Sequence, residues 1–307
     1  MSMGAFSRKS GIYILHMTNE IGQYTKVKSK EIAYLLGFIW ADGYVSIKNK
    51  HYCTGMGIQR EDFDSYIKPL LKIGNWRMLY HKQEKRKEQG RARWYCKDLA
   101  LYLKSVGYCS KNENAYNILN VIPEKLVPYW FRGLFDGDGC VYVNRKKRGF
   151  GADITGPYDQ QWNYVEDLYN KLKVSYSIRR TIHKTGKTSH IRIRKQSDII
   201  TFLNYIYKDF EKDGIGFQRK YDKFLEIKNH YIPPSSKYKG LSITPSQTWQ
   251  VKMCQQGKYV FIGTFKTEEE AVEKYNDAVK NIIGQSGILN IWKGPTLFRD
   301  KVNACHC

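Results

Sequence analysis

From Ala33 to Ala41 every residue is apolar or glycine. The run reads as an apolar helix over Tyr34–Asp42, followed by Gly43. Tyr44-Val45-Ser46-Ile47-Lys48 then alternates as a strand does, and a second strand is expected near 53–59. A helix is predicted over 62–73, with Phe63, Tyr66, Ile67, Leu70 and Leu71 on one face. Residues 81–93 (HKQEKRKEQGRAR) are basic, contain glycine, and read as a hairpin loop. A short ladder and helix follow over 94–106, and a last helix over 113–119.

The same succession then recurs. Residues 129–144 (YWFRGLFDGDGCVYVN) repeat the arrangement of 33–48 (AYLLGFIWADGYVSIK). Strands are expected near 140–144 and 152–155, helices over 162–172 and 220–227, and another ladder and helix over 191–206. Asp42 and Asp138 hold equivalent places. A spacing this long means two copies of one compact unit, since solenoid periods are about 20–50 residues. The fold class is α+β: two pseudo-symmetric αββαββα repeats packed through their motif helices. Pro233-Pro234-Ser235-Ser236 stops regular structure and reads as a linker. The expected organisation is an arm at 1–30, repeats at 31–120 and 121–230, a linker at 231–236 and a small domain with a tail at 237–307. In the small domain three strands (238–243, 248–254, 259–264) precede a helix over 267–283. Thr267 is its N-cap, three glutamates fill the first turn, and Ala271, Val272, Tyr275, Ala278, Val279 and Ile282 form its apolar face.

Charge changes the picture most. The 307 residues carry 51 Lys+Arg and 29 Asp+Glu, a net charge of +22. Residues 1–230 hold 41 of the basic and 23 of the acidic side chains, so the excess lies there. A field of that sign calls for a polyanionic partner, and 24 tyrosines favour nucleic acid over a membrane surface. No apolar stretch approaches the roughly 20 residues of a membrane span, and Ile12–Leu15 is too short for the core of a secretory signal. Seven scattered cysteines without a C-x-x-C pair suit a reducing, cytoplasmic setting.

The chemistry is expected at the two helix ends. Gly37 and Ala41, like Gly133 and Gly137, stand four apart, so small residues share one face and two helices can approach backbone to backbone. Gly43 and Gly139 are expected as left-handed C′ residues. Such packing would bring Asp42 and Asp138 together. Each carboxylate meets the negative end of a helix dipole, at about 0.3–1 kcal/mol, and each repels the other and any phosphate. Mg²⁺, or another divalent cation such as Mn²⁺, resolves the conflict by binding carboxylates, waters and phosphate oxygens, and it would then promote phosphodiester hydrolysis.

LLGFIWADG (35–43) and FRGLFDGDG (131–139) resemble the paired motifs of the single-chain, two-repeat LAGLIDADG homing endonucleases. The resemblance covers roughly residues 30–230. It implies a monomeric endonuclease that cuts both strands of a long double-stranded DNA site, leaves short 3′ overhangs and belongs to a mobile element such as an intron. It places the metal-binding acids at Asp42 and Asp138, with the carbonyls of Ala41 and Gly137 as further ligands. Trp40 departs from the motif by replacing an earlier aspartate. The resemblance also nominates Gln59, matched in the second copy by Thr155, to orient water. It nominates Lys111 and Lys220, or its neighbour Arg219, to stabilise charge on phosphate.

DNA contacts are expected from the sheets, since a β-ribbon fits the major groove. Ser46, Lys48, Arg145, Lys146, Lys147, Arg148, Arg192 and Arg194 are the candidates. The small domain, through YKGL, TWQVKM and YVFIGTFKTEEEAVEKYNDA, resembles plant APETALA2/ERF-type DNA-binding domains, which implies contacts from Lys239, Trp249, Lys252 and Lys258. Two other functions fit the same scaffold: a maturase that binds its intron RNA, and a DNA-binding regulator without activity. Retention of both acids speaks against the second.

Overall fold

The computed structural model describes residues 21–294 except 83–86, 112, 145–148, 184–185, 231–235 and 285–286. Arg145, Lys146, Lys147 and Arg148 lie outside the described residues. The chain divides into two compact units, Met1–Tyr231 and Ile232–Cys307.

The larger unit is built around two helices, α1 (Lys30–Asp42) and α3 (Val127–Asp138). Ser29 caps α1, its hydroxyl accepting from the Ile32 amide at 3.3 Å. Pro128 starts α3, where a missing N–H costs nothing. From Ile32 to Trp40 and from Pro128 to Asp136 every residue is buried. The cause is twofold: the helices face each other along their glycines and face a sheet or further helices elsewhere. A Cβ at Gly37 would land on the Trp130 carbonyl, and one at Gly133 on the Tyr34 carbonyl. No other residue allows this approach.

Each helix runs directly into an antiparallel four-stranded sheet. The first comprises β1 (Gly43–Lys48), β2 (His51–Gln59), β3 (Arg77–His81) and β4 (Gln89–Trp94), ordered β1-β2-β4-β3. The second comprises β5 (Gly139–Asn144), β6 (Gly149–Pro157), β7 (Ser177–His183) and β8 (Gly186–Ile193), ordered β5-β6-β8-β7. The registers correspond. Gly43 lies opposite Met56, and Gly139 opposite Ile154. On each sheet one face is apolar and covered by helices: α2 (Lys97–Ser105) in the first half, and α4 (Asn163–Lys171), α5 (Gln196–Ile206) and α6 (Gln218–Asn229) in the second. The α+β class and the repeat of two αββαββα units therefore stand.

Three local expectations change. The helix expected over 62–73 is broken: a π turn at Phe63–Ile67 gives way to a 3₁₀ turn at Lys68–Leu70. Pro69 is the reason, since it lacks a donor and crowds the carbonyl four residues back. The loop expected over 81–93 is in part strand β4, whose Gly90, Ala92 and Trp94 are buried while Gln89, Arg91 and Arg93 face outward. The helix expected over 113–119 shortens to Tyr116–Leu119.

In the smaller unit β9 (Leu241–Ile243), β10 (Trp249–Gln255) and β11 (Lys258–Phe265) form one antiparallel sheet with β10 in the centre, covered by α7 (Glu268–Ile283). The Thr267 hydroxyl accepts from the Glu270 amide at 3.2 Å, as an N-cap should. Tyr238, Leu241, Trp249, Val251, Met253, Ala271, Val272, Tyr275 and Val279 form the core. Trp249 is only 7% exposed, so the DNA contact expected of it is corrected: it is a core residue whose ring faces the helix side. Ile282 leaves the apolar face, being 40% exposed. Lys239, Lys252 and Lys258 are exposed. Beside Lys252 and Lys258 stand two exposed rings that the sequence did not single out, Tyr259 and Phe261.

Candidate active site

Asp42 and Asp138 end α1 and α3 where the two helices touch. A Cβ at Gly137 would collide with the Ala41 methyl and lie 3.2 Å from the Asp42 Oδ2. Burial is the main force raising both carboxyls, and the Asp42 charge adds to it at Asp138, which reaches about 7. Lys111 and Lys220 oppose the rise at each. The pair thus holds a proton far more readily than two separate aspartates would.

Gly43 and Gly139 are not left-handed, which corrects the expectation. Their backbones are extended (φ −99° and −87°), and each amide donates back to a helix carbonyl, Ile39 or Phe135. Glycine is required for space: a Cβ at Gly43 would sit 2.6 Å from the Ile39 carbonyl oxygen, and one at Gly139 would strike that of Phe135.

The lysines bind the helix ends. Lys111 Nζ donates to the carbonyls of Ile39 (3.4 Å), Ala41 (3.1 Å) and Gly43. Lys220 Nζ donates to Phe135 (2.6 Å), Asp136 (2.8 Å) and Gly139 (2.6 Å). Each ammonium thereby meets the negative end of a helix dipole. Burial lowers both pKa values, that of Lys220 to about 8. Of the two carbonyls nominated for metal, that of Ala41 is engaged by Lys111. Arg219 turns the other way and pairs with Asp62 at 3.0 Å.

Asp136 explains the difference at Trp40. Fully buried, it accepts from the hydroxyls of Tyr34 (2.9 Å) and Tyr207 (2.8 Å) and from the Phe217 amide (2.9 Å). Its equivalent, Trp40, packs instead among Tyr108, Trp130 and Tyr164. The position is structural in both halves.

Asp138 lines a cleft of about 400 Å³ with Lys111, Thr155, Lys187 and Thr188. Thr155 Oγ1 lies 3.1 Å from His190 Nδ1, and His190 Nε2 lies 3.1 Å from Thr188 Oγ1. Asp42 lines a smaller groove with Tyr44, Gly57, Gln89, Arg91 and Arg93. The register makes Gly57, not Gln59, the counterpart of Thr155. Gln59 pairs with Gln89 at the exposed end of β2 and corresponds to Pro157. His190 is not legible in the sequence, and Gln89, Arg91 and Arg93, which fall in the basic stretch expected to be a phosphate-contacting loop, lie instead on strand β4 beside Asp42. Charges masked the alternation of β4; the period-2 burial of Gly90, Ala92 and Trp94 was the available clue.

Ser46 is partly buried and Lys48 exposed, both on the outer face of β1. Arg192 and Arg194 share Asp153: Arg192 Nε and Arg194 Nη2 lie 3.0 and 3.1 Å from its Oδ2, and Arg194 Nη1 meets Oδ1. Among the described residues no group of three or more His, Cys, Asp or Glu could hold a metal ion.

Residues 127–207 match the family model described as LAGLIDADG-like domain. The second half of the larger unit thus carries such a domain. The chain is 29% identical over 156 residues to an uncharacterized protein of Methanocaldococcus jannaschii, covering 49% of this chain and 57% of that protein. It is 39% identical over 57 residues to an Arabidopsis thaliana AP2/ERF and B3 domain-containing transcription repressor, covering 19% of this chain and 16% of the repressor. The chain therefore spans just over half of one curated relative and a sixth of the other. Among solved structures, the homing endonuclease I-WcaI bound to its DNA recognition sequence aligns with TM-score 0.47 and 18% identity, over 73% of this chain and 95% of that one. I-DmoI in complex with DNA and Mn aligns with TM-score 0.43 and 17% identity, over 58% and 97%.

Proposed function

We propose that the protein is a divalent-metal-dependent DNA endonuclease of the homing type. It cuts both strands of a long duplex site and leaves short 3′ overhangs. The observation that carries the reading is the convergence of Asp42 and Asp138 at the foot of a glycine-packed helix pair, between two sheets on a strongly basic chain. The LAGLIDADG-like domain at 127–207 supports it.

Two carboxylates forced together, one of them raised to about 7, form a donor set that a hard cation fits. With no third acidic or imidazole ligand among the described residues, the remaining coordination would come from water and phosphate. Asp42 and Asp138 would hold Mg²⁺ or Mn²⁺, which when bound polarises the phosphate and activates water. The chain's own residues do the rest. Lys111 and Lys220 fix the helix ends from which the acids project, and their charge offsets the repulsion between carboxylate and phosphate. Thr155, held by His190, offers a hydroxyl to water or phosphate oxygen on the Asp138 side. On the Asp42 side Arg91 and Arg93 offer guanidinium groups. The smaller unit adds affinity by tethering through exposed Lys239, Lys252 and Lys258.

The test is to incubate the purified protein with a randomised duplex library and Mg²⁺, and to sequence the cut ends. Defined double-strand breaks that vanish in Asp42→Asn and Asp138→Asn are expected. Wild-type protein that binds duplex but cuts none of the library, or acid variants that still cut, would overturn the reading.

A further inference from the structure

The two sheets present different electrostatics along equivalent rows. On the first sheet, Tyr44, Gly55, Arg93 and Arg77 stand in register across β1, β2, β4 and β3. On the second, Cys140, Asp153, Arg192 and Ser177 occupy the same places. Arg93 and Arg192 are equivalent, and what differs is the residue opposite: Gly55 in one sheet, Asp153 in the other. Asp153 takes both Arg192 (3.0 Å) and Arg194 (3.1 Å), and the Arg194 guanidinium also lies 5.2 Å from the centre of the Tyr142 ring. One row further on, Arg91 donates to Gln89 Oε1 at 2.8 Å. Among the described residues no carboxylate lies within ion-pairing distance of Arg91 or Arg93, although both line the groove that holds Asp42.

We propose that the protein grips its duplex asymmetrically: Arg91 and Arg93 bind backbone phosphate beside Asp42, while Asp153 occupies Arg192 and Arg194 and withholds them from phosphate. This rests on the reading of the protein as a DNA endonuclease. The physical basis is competition for a guanidinium. A carboxylate 10% exposed in its side chain, fixed on the facing strand, binds both arginines without the ordering that an incoming phosphate requires. The pairing is intramolecular and already made, so DNA must displace it. The first sheet has no carboxylate at this place: Gly55 supplies no side chain, and the neutral Tyr44 and Tyr95 hydroxyls beside Arg93 hold it less strongly than an ion pair would.

The experiment measures duplex affinity against salt concentration, without divalent cation. Each phosphate neutralised contributes about −0.9 to the slope of log K against log[salt]. Asp153→Asn should release the arginines and steepen the slope by about 1–2, and adding Arg192→Ala and Arg194→Ala to that variant should return the slope to the wild-type value. Mere relief of repulsion between Asp153 and DNA would leave the triple variant steeper than wild type. Arginines that already bind phosphate would leave it shallower. Either result, or an unchanged slope in Asp153→Asn, overturns the inference. Should Asp153→Asn fail to fold, two double variants decide the matter. Arg91→Ala/Arg93→Ala must flatten the slope more than Arg192→Ala/Arg194→Ala does, and equal flattening overturns the proposal. A wild-type protein with no duplex affinity would overturn both this inference and the endonuclease reading. Wild-type binding with equal arginine effects would overturn this inference alone.

Discussion

The two halves of the larger unit share a backbone plan and divide its chemistry differently. Each joins a glycine-faced helix to a four-stranded sheet and ends the helix with an aspartate. Inside the helix, one half has Trp40 wedged among aromatic rings where the other has Asp136 buried among two hydroxyls and an amide. Beside the carboxylate, one half has Arg91 and Gln89, the other Thr155 and His190. Close packing fixes what both copies need, namely Gly37, Gly133, Gly43, Gly139 and the two acids. One layer out the halves share Lys111 and Lys220 at the helix ends but differ beside each carboxylate, so the two acids face unlike surroundings.

The largest effect should come from what the halves share. Asp42→Asn and Asp138→Asn are each expected to lower double-strand cleavage more than about 10³-fold, some 4 kcal/mol of barrier, while duplex affinity stays within about threefold. Plasmid cleavage and gel-shift titration check this. One acid variant with near wild-type cleavage would mean that the halves do not share a site.

Next come the lysines, which look alike but are buried differently. Lys220 is 4% exposed and donates to three carbonyls, with Asp136 beside it. Lys111 is only partly buried. Removing Lys220 leaves carbonyls that water cannot reach. Lys220→Met should cost about 3 kcal/mol of stability, and Lys111→Met about 1 kcal/mol because water can take its place. Urea denaturation measures both. Equal losses would show that the two helix ends are equally wet.

The fold was legible in the sequence wherever one period dominated. The motif helices, β1, β5 and α7 follow from uniform or alternating apolarity. β4 did not, because arginines on its outer face and a glycine and an alanine on its inner face gave little contrast. The break into a π turn and a 3₁₀ turn over Phe63–Leu70 follows from the missing donor of Pro69, which apolar periodicity does not encode. At the site, both acids could be read because each closes a repeated motif. Gln59 could not be placed, since a strand's register is set across the sheet and not along the chain. The lysines came from the resemblance alone, as cations for phosphate near the start of each repeat's last helix, and their bonds to the carbonyls of α1 and α3 were not legible.

A smaller effect concerns protonation. The folded-state pKa of Asp138 is raised to about 7 from 3.8. Between those values the folded protein binds more protons than the unfolded chain, so stability without metal should fall as pH rises from about 4 to 7. The raised pKa of Asp42 acts in the same direction. Above about 8 Lys220 has the opposite sign, so the window below 7.5 isolates the acids. Thermal melts should show a slope that flattens in Asp138→Asn. Mg²⁺ should raise the wild-type melting temperature at pH 7.5 and leave it unchanged at pH 5. A pH-independent melt would show that the carboxylates are farther apart or wetter than the helix packing implies.

The smallest expected effect tests the comparison at one hydroxyl. Thr155 stands one residue beyond the partner of Gly139 and lines the cleft with Asp138, and His190 fixes its Oγ1. The same place beside Asp42 is Gly57, which has no side chain to offer. A group that orients water or phosphate oxygen on one side only should matter for one strand only. Thr155→Val keeps the shape and removes the hydroxyl. It should slow cleavage of one strand roughly tenfold, about 1.4 kcal/mol, and leave the other strand within about twofold. Gln59→Ala, at the exposed far end of β2, should leave both strands within about twofold. Strand-specific end labels on a duplex target, or accumulation of nicked circles from a supercoiled plasmid, report the difference. If Thr155→Val slows both strands equally, the hydroxyl supports a step common to both cuts. If Gln59→Ala slows one strand as Thr155→Val slows the other, the two residues are functional equivalents despite their different registers.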